Sequence, residues 1–373
     1  MQISWILFFL LSTYFTETID KTPLPHPVSL EIEYNWSAIA DSVQRATFQA
    51  FLSNDGQYIA QGNGGNQTFH YWWNAHVLDV LVDAHLRNRN QEDMMLTVLR
   101  GIKHHNDGQY PNNYYDDMEW LALSSLRAYK ATGNTEFLEA AEILWDDIKK
   151  GWNNHQGGGI AWRKNQLDYK NTPANAPAVI LGARLYEEHQ RPEDLEWAKK
   201  IYQWQKDHLV DPATGLVWDG VNRKGDQQID KAWKFTYTQG VFIGAGVALY
   251  KVTGDRNYLD DAITTADFVI NDNNLAPAGI LKTERSGDGG LFKGILVRYM
   301  VQIIKSPGLP EGKKAAYSDF LRQNAVTLYN NIRRPEMLIG PSWDKRSDKI
   351  IDASVQLSGL MLLEAMATLD KNH

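Results

Sequence analysis

The sequence predicts an all-α fold, an (α/α)6 toroid of six helix pairs, and three observations lead to this prediction. A loop pattern with a turn glycine recurs six times, at intervals of 52, 51, 56, 64 and 61 residues. Two helical stretches separate successive loops, joined by short connections that carry Gly, Pro or Asn. The helix after each long loop is apolar nearly all round, whereas the helix before it is amphipathic, which indicates an inner and an outer ring. An open α-solenoid is the alternative, but it does not require such uniformly buried helices.

The repeated loops place an aromatic residue shortly after most of the turn glycines. The first two copies share the pentapeptide NDGQY, which ends at Tyr58 and Tyr110, and later copies end at Trp162, Trp218 and Trp343. Every long loop leads from an outer helix into an inner one, so we expect all six on one rim. The N-termini of the inner helices should then converge on a single concave mouth, the usual place for a ligand.

Start and stop signals delimit twelve helices in chain order. No alternating Val, Ile and Thr pattern typical of strands competes for the chain. We therefore predict one domain over residues 30–373. The predicted helices span residues 36–53, 74–88, 91–105, 116–132, 135–152, 174–190, 193–209, 237–253, 256–272, 290–305, 313–331 and 353–369.

The N-terminal residues 1–20 are interpreted separately. Residues Ile3 to Leu11 form an apolar run with the length of a signal-peptide core, too short to span a bilayer. A signal peptide would make the protein secreted, cell-surface or periplasmic. The alternative is an apolar N-terminal extension on a cytoplasmic protein. No further transmembrane segment is predicted, so we do not expect stable membrane insertion.

Composition excludes several classes of protein. Of 373 residues, 43% are hydrophobic, which supports a large core and excludes a disordered chain. The net charge of −7 without a Lys/Arg run argues against binding nucleic acid. The absence of cysteine excludes disulfides, thiolate metal sites and cysteine nucleophiles. Trp and Tyr are abundant, 13 and 17 residues, and their rings are flat faces on which sugars stack.

The strongest candidate for chemistry is Asp116-Asp117, at the entry to the fourth helix, an inner one. A single Asp there is commonly an N-cap, but two adjacent Asp on a buried helix exceed what capping needs. Glycoside hydrolysis requires one ionised carboxylate and one protonated carboxyl. The helix N-terminus favours the ionised form, and a neighbouring negative charge raises the pKa of the other group. Adjacent residues of a helix can bring their carboxyls within about 5–6 Å, near the separation typical of retaining enzymes.

Polar and aromatic residues at the other inner-helix entries are candidate substrate contacts. Each has a structural alternative: aromatic core packing, helix capping, a flexible turn or a solvated charge. Triple glycine at 157–159 would let the backbone approach a ligand, or would be only a turn. No metal site or cofactor is expected, since no HExxH, Walker A or comparable motif occurs. The candidates are Trp73, Asn74, His76, Asn113, Tyr115, Trp162, Tyr237, Gln239 and Lys293.

Four motifs in the same order resemble glycoside hydrolase family 76, the endo-α-1,6-mannanases and related fungal cell-wall transglycosidases. They are Asn-x-Tyr-Tyr-Asp-Asp-Met-x-Trp at 112–120, Gly-Gly-Gly-Ile-x-Trp at 157–162, Thr-Tyr-x-Gln-Gly at 236–240 and Phe-Lys-Gly at 292–294. The resemblance covers roughly residues 35–369. It implies an (α/α)6 fold, a retaining mechanism and α-1,6-linked mannan as substrate.

The resemblance also implies roles for single residues. Asp116 matches the nucleophile and Asp117 the general acid/base; Trp73, Trp162, Tyr237, Gln239 and Lys293 match cleft positions. Thr238 departs from the Asn expected in the third motif. The lack of cysteines and of a C-terminal anchor signal favours a soluble hydrolase over the fungal anchored branch. The alternatives are another (α/α)6 enzyme, namely an inverting glycosidase, a transglycosidase or a sugar epimerase, or a non-catalytic glycan-binding protein.

Overall fold

Twelve α-helices alternate between outer and inner positions in the computed structural model of the protein, which describes residues 33–370. The predicted (α/α)6 architecture is confirmed, and each predicted helix has its counterpart, with ends shifted by a few residues. The helices are α1 (Trp36–Phe51), α2 (Tyr71–Asn88), α3 (Glu92–His104), α4 (Tyr115–Thr132), α5 (Thr135–Ile148), α6 (Ala176–His189), α7 (Pro192–Leu209), α8 (Thr236–Thr253), α9 (Arg256–Asn271), α10 (Gly289–Ile304), α11 (Glu311–Asn331) and α12 (Ala353–Asp370).

The even-numbered helices form a closed inner ring. Each packs against the next even-numbered helix, and α12 packs against α2 to complete the circle. In α8 every residue from Thr236 to Gly246 is buried, and in α12 every residue from Ala353 to Ala367. The outer helix α3, by contrast, buries one stripe at helical spacing, from Met95 to Ile102. Burial on all sides therefore distinguishes the inner helices, as their apolar sequences predict.

The short connections reverse the chain through helix caps. Gly133 and Gly254 end α4 and α8 in the left-handed conformation, with φ of 79° and 71°, which costs glycine little. Asn134 and Asp255 follow at once as N-caps of α5 and α9, and each side chain accepts a backbone N–H of the first turn. Each reversal thus needs only a few residues, so consecutive helices pack antiparallel.

Three short strands, which the sequence analysis did not predict, lie in the long loops at the rim. Strands β1 (Ala161–Arg163), β2 (Gln166–Asn171) and β3 (Gly220–Val221) form an antiparallel sheet in the order β1-β2-β3. They are short and lie outside the twelve helices, so the predicted all-α class is unchanged. Residues 166–171, QLDYKN, show no apolar alternation, because the three buried residues are consecutive and two of them are polar.

Four buried amide side chains tie the long loops to the inner helices. Asn74 accepts the N–H of Ile59 at 2.8 Å and donates to its C=O at 3.1 Å. Asn175 binds Ile160 in the same way, at 2.8 and 3.0 Å, and Gln239 binds Val217 at 2.8 and 2.7 Å. Gln356 accepts the N–H of Ile339 at 2.8 Å and donates to the carbonyl of Met337. We call these four residues the amide clamps. The amide clamps hold each of these loops in a fixed position relative to the inner helix that follows it.

The interpretation of residues 1–20 as a signal peptide or extension lies outside the described residues. Between residues 33 and 370, no helix has the length and apolarity that crossing a bilayer requires.

Candidate active site

The aspartate pair lies in the first turn of α4, at the mouth of the toroid. Tyr114 precedes the helix in an extended conformation and supplies no side-chain cap. Asp116 and Asp117 are therefore the second and third residues of the helix. Neither of them is an N-cap, which is the common structural role of an aspartate at a helix entry. Both carboxyls are half-buried. They lie where the N-terminus of an inner helix meets the concave side of the rim.

Different donors hold the two carboxyls. Asp116 Oδ1 accepts the backbone N–H of Asp117 at 3.0 Å, and its Oδ2 accepts the indole N–H of Trp162 at 3.0 Å. Asp117 Oδ2 accepts the side-chain amide of Asn112 at 3.2 Å. Asn112 also accepts the backbone N–H of Tyr114 at 2.8 Å, which fixes its orientation. Asp116 thus has the larger set of donors for a negative charge.

The two carboxyls have unequal affinities for a proton. Burial raises the pKa of Asp116 to about 7, while the hydrogen bonds from Asp117 N–H and Trp162 act in the opposite direction. Burial and the adjacent charge of Asp116 raise the pKa of Asp117 well above its ordinary value. Near neutral pH the pair therefore favours one shared proton, held on Asp117, with Asp116 as the ionised partner.

A third carboxylate, Asp219, lies beside the pair on the loop before α8. It is 4% exposed and accepts the hydroxyl of Tyr237 at 2.5 Å and that of Tyr169 at 3.1 Å. Its charge contributes to raising the pKa of Asp116. The Tyr169 ring also contacts Trp162 edge to face, with ring centroids 5.7 Å apart. These contacts connect the predicted residue Tyr237 with the surroundings of Asp116.

A fourth carboxylate, Asp288, approaches the pair from the entry of α10. Its Oδ1 accepts the indole N–H groups of Trp72 and Trp73, both at 3.1 Å. The charge of Asp288 contributes to raising the pKa of Asp117. Trp73 is 2% exposed and stacks on His70 with centroids 4.1 Å apart, so little of its ring can reach a sugar. Trp72 is half-buried and presents more ring surface.

A row of aromatic rings extends from Tyr237 toward the solvent. Tyr237 stacks on Phe292 with centroids 4.0 Å apart, Phe292 contacts Phe235 at 5.2 Å, and Phe235 contacts Trp233 at 5.6 Å. Trp233 is 37% exposed, and the guanidinium of Arg223 covers its ring at 4.0 Å. Flat rings in sequence along a rim can carry the apolar faces of successive sugar units.

Two predicted contacts face away from the pair, and their sequence neighbours take the place expected of them. Asn113 donates to the side chain of Asn165 at 3.3 Å, whereas Asn112 reaches Asp117. Tyr115 packs beside Gly151 in the wall, whereas Tyr114 contacts the ring of Trp162 at 5.3 Å. A shift of one residue in the extended segment before α4 reverses the direction of a side chain.

Asn74 and Gln239 are two of the amide clamps. They are fully buried, and the oxygen and nitrogen of each amide bind backbone atoms, so their geometry favours a loop-holding role over sugar binding. Lys293 is likewise buried: it donates to the carbonyl of Pro341 at 2.8 Å and lies 4.1 Å from the ring of Trp343. Lys293 therefore connects α10 with the sixth long loop.

His76 lies inside the toroid rather than on the rim. It is 4% exposed, its ring is 5.0 Å from that of Trp120, and burial lowers its pKa to about 3. An imidazole in this position is neutral at ordinary pH. The placement gives no support to the epimerase alternative, which would need a histidine at the rim.

The triple glycine serves packing rather than approach to a ligand. Gly158 and Gly159 have φ of 136° and 80°, and a Cβ would lie 2.8 Å from Trp152 and Trp204, respectively. The backbone of these glycines packs directly against the indole rings of Trp152 and Trp204, and the chain then enters β1, which contains Trp162. The glycines thus help to place the tryptophan that binds Asp116.

Several residues of the site were not predicted from the sequence, although some of them stand inside the predicted motifs. Asn112, Tyr114 and Trp72 adjoin predicted residues, so the signal was present but assigned to a neighbour. Asp219 follows Trp218 of the fourth loop repeat and Asp288 precedes α10, but neither is part of a predicted motif, and only their proximity to the pair reveals them. Within residues 33–370, no cluster of three or more His, Asp or Glu side chains has the geometry to hold a metal ion.

Two adjacent carboxyls with unequal affinities for a proton, set among indole and phenol rings, are what the hydrolysis of a glycosidic bond requires. At the mouth of an (α/α)6 toroid, they are features typical of a glycoside hydrolase. The chain belongs to Glycosyl hydrolase family 76, which it matches over residues 35–372.

Solved structures agree with this assignment. The GH76A α-1,6-mannanase of Salegentibacter sp. HEL1_6 is 45% identical and superposes with a TM-score of 0.88, over 90% of this chain and 100% of that chain. The same enzyme is known as an inactive variant, with two consecutive aspartates changed to asparagine, in complex with α-1,6-mannotriose; that chain is also 45% identical, with a TM-score of 0.87 over the same shares of the two chains.

Curated relatives are more distant. The mannan endo-1,6-alpha-mannosidase DCW1 of Candida glabrata is 24% identical over 206 residues, which are 50% of this chain and 46% of the relative. The DFG5 enzyme of Candida albicans is 24% identical over 215 residues, 51% of this chain and 47% of the relative. The chain spans about half the length of these relatives.

Proposed function

We propose that the protein is a retaining endo-α-1,6-mannanase, with Asp116 as nucleophile, Asp117 as general acid/base, and the twelve helices as a single catalytic domain. The observation that carries the proposal is the difference in hydrogen-bond donors between two adjacent carboxyls in the first turn of an inner helix: Asp116 accepts two hydrogen bonds and Asp117 accepts one. The similarity to the Salegentibacter α-1,6-mannanase supports α-1,6-linked mannan as substrate.

The reaction proceeds in two displacements. In the first, Asp116 attacks the anomeric carbon as the bond to the glycosidic oxygen breaks, and Asp117 gives its proton to that oxygen. In the second, Asp117 takes a proton from water, whose oxygen displaces Asp116 from the sugar. The sugar leaves with its original anomeric configuration, and both carboxyls return to their starting states.

The roles follow from what each carboxyl contacts. The backbone N–H of Asp117 and the indole of Trp162 stabilise negative charge on Asp116, and so does the N-terminus of α4. Asp117 has one amide donor and is near the charges of Asp116 and Asp288, which favour its protonated form. A nucleophile needs the first environment and an acid needs the second.

The position of the pair in the fold supports the same assignment. The chain has three pairs of consecutive aspartates, at 116–117, 146–147 and 260–261. The last two lie in the outer helices α5 and α9. Only the pair of α4 stands at the mouth, and it is the natural counterpart of the two aspartates replaced in the inactive Salegentibacter variant.

The substrate is a polymer, which this enzyme would meet outside the cytoplasm. That location agrees with the interpretation of residues 1–20 as a signal peptide and makes a mannan polysaccharide the partner at the site.

Digestion of linear α-1,6-mannan, followed by proton NMR and product sizing, tests the proposal. We expect the α-anomer of the reducing end to appear first and equilibrate later, with oligosaccharides as early products. Initial release of the β-anomer would show inversion and contradict the double displacement. Release of mannose alone from the first minutes would contradict the endo mode.

The indole of Trp162 is expected to control the ionisation of Asp116. Trp162→Phe keeps a ring against Tyr114 and Tyr169 but removes the donor to Asp116. Losing a bond to the charged form raises the pKa of Asp116, and Asp116 must be ionised to attack. The acidic limb of the kcat/KM profile should therefore move to higher pH, by about one unit.

The control for this variant is Trp197→Phe, which alters a half-buried indole of the outer helix α7. It should leave the pH profile unchanged. An unmoved acidic limb in Trp162→Phe would show that the indole does not set the charge state of Asp116.

A further inference from the structure

A cavity of about 770 Å³ lies on the axis of the toroid, at the end opposite the aspartate pair. We call it the rear cavity. It forms where the C-terminal halves of the inner helices meet, and small side chains such as Ala183, Ala248 and Ala365 leave the axis unfilled. All six inner helices contribute to its wall, with Val82, Leu126, Ala183, Ala248, Val301 and Ala365 as examples.

A buried layer separates the rear cavity from the catalytic mouth. His76, Trp120 and Tyr299 are at most 5% exposed and line a small void of about 10 Å³ between the two ends. A ligand in the rear cavity would therefore not contact Asp116 or Asp117. The two ends of the toroid are separate places for binding.

Basic side chains outnumber acidic ones in the wall of the rear cavity, six to three. Two of the arginines are neutralised by aspartates: Arg127 binds Asp83 at 2.6 Å, Arg298 binds Asp83 at 2.8 Å, and both also pair with Asp79. Two arginines thus face two aspartates, and this quartet has no net charge.

The lysines at the edge have partners of their own. Lys251 binds Glu187 at 2.6 Å, and Lys130 lies 3.6 Å from the same carboxylate and 3.7 Å from Glu188. Their positive charges also compensate the carbonyl ends of α4 and α8. Lys130 and Lys251 therefore leave little charge for a ligand.

Arg184 differs from all of these. Its Nη2 donates to the side-chain oxygen of Gln302 at 3.1 Å, and no carboxylate among residues 33–370 forms an ion pair with it. Four of its five N–H donors have no protein acceptor within that range. Burial lowers its pKa, as do the charges of Arg127 and Arg298, whereas Tyr299 and Asp79 act in the opposite direction. Arg184 is half-buried and lines the cavity, so its remaining donors can bind an anion that enters it.

We propose that the rear cavity binds an organic carboxylate, whose charge pairs with Arg184 and whose apolar body packs against the aliphatic wall. A guanidinium fork binds the two oxygens of a carboxylate side by side, and one such group would supply the missing charge. The alanine, valine and leucine side chains of the wall suit a hydrocarbon body. This proposal does not depend on the proposed mannanase function.

Isothermal titration of the full-length protein with decanoate, below its micelle concentration, tests the proposal. We expect decanoate to bind with a stoichiometry of one, and decanol, which has the same chain without the charge, to bind at least about tenfold more weakly. Arg184→Gln should reduce the affinity for decanoate to that for decanol. Lys313→Gln, which removes a surface cation of the outer helix α11, should leave it unchanged.

Thermal melting keeps the test informative if a variant is perturbed. Arg184→Gln removes a charge without a counterion, so it should melt at or above the temperature of the parent protein, and decanoate should raise the melting temperature of the parent alone. Equal affinity for decanol and decanoate, undiminished binding to folded Arg184→Gln, or no binding to the parent would each overturn the proposal. Hydrolysis of mannan by Arg184→Gln should match the parent, whatever the outcome of the titration.

Discussion

Asp116→Asn and Asp117→Asn are each expected to reduce turnover of α-1,6-mannan by about 10³-fold or more while the fold is kept. An asparagine at 116 cannot attack the anomeric carbon, and an asparagine at 117 has no proton to give to the leaving oxygen. Both substitutions preserve the volume of a half-buried side chain, so circular dichroism and melting temperature should stay close to those of the parent.

The two roles separate when the leaving group no longer needs a proton. With an aryl α-mannoside whose phenol is strongly acidic, Asp117→Asn should still form the glycosyl-enzyme, whereas Asp116→Asn should not. Azide can then replace the missing partner. The Asp117 variant should yield the α-mannosyl azide, because azide attacks the covalent intermediate, whereas an Asp116→Ala variant should yield the β-azide by direct attack.

Asp146→Asn is the matched control for both substitutions. It alters the first member of another aspartate pair, on the outer helix α5, with a side chain that is 74% exposed and paired with Lys149. Its kcat should equal that of the parent. Full activity in either Asp116→Asn or Asp117→Asn would end the assignment, and an exchange of the two azide products would reverse the roles.

Asn175→Ala is expected to produce the largest loss of stability, about 3 kcal/mol in the free energy of unfolding. The amide of Asn175 is fully buried and binds the N–H and C=O of Ile160 and the carbonyl of Asn171. Alanine leaves these buried groups without partners. Because Ile160 lies two residues before Trp162, kcat should fall as well, even in the fraction that stays folded.

Urea unfolding, with activity measured well below the transition, checks this expectation. Asn271→Ala is the control, because Asn271 is exposed and donates once, to the carbonyl of Asp267 in its own helix α9. It should cost less than about 0.5 kcal/mol. Equal stability of the two variants would show that the amide clamps are dispensable for the fold.

The helical framework could be predicted from the sequence because its signals are local. Gly133-Asn134 and Gly254-Asp255 mark helix ends through the backbone angles and hydrogen bonds of adjacent residues. Burial on every side of α8 follows from its composition alone. The aspartate pair could be found for the same reason, since its place at a helix entry depends only on residues 112–120.

The direction of each side chain at the mouth was decided by tertiary structure. The residue types of Asn112 and Asn113 do not distinguish them; the bridge between Tyr114 and Arg163 and the bond from Tyr114 N–H to Asn112 together leave Asn112 facing Asp117 and Asn113 facing Asn165. The pairing of β2 with β3, too, joins segments about 50 residues apart and carries no periodic pattern.

The sequence by itself therefore determined the twelve helices, their inner and outer positions, and the pair of acids at the rim. Only the tertiary structure added Asp219 and Asp288 to the site, gave Asn74 and Gln239 their clamping contacts, and showed that no carboxylate between residues 33 and 370 forms an ion pair with Arg184. The physical reason is the distance along the chain over which each effect acts. Helix propensity and capping act within about four residues, whereas the field and the hydrogen bonds at a buried group come from whichever segments the fold brings within a few ångströms.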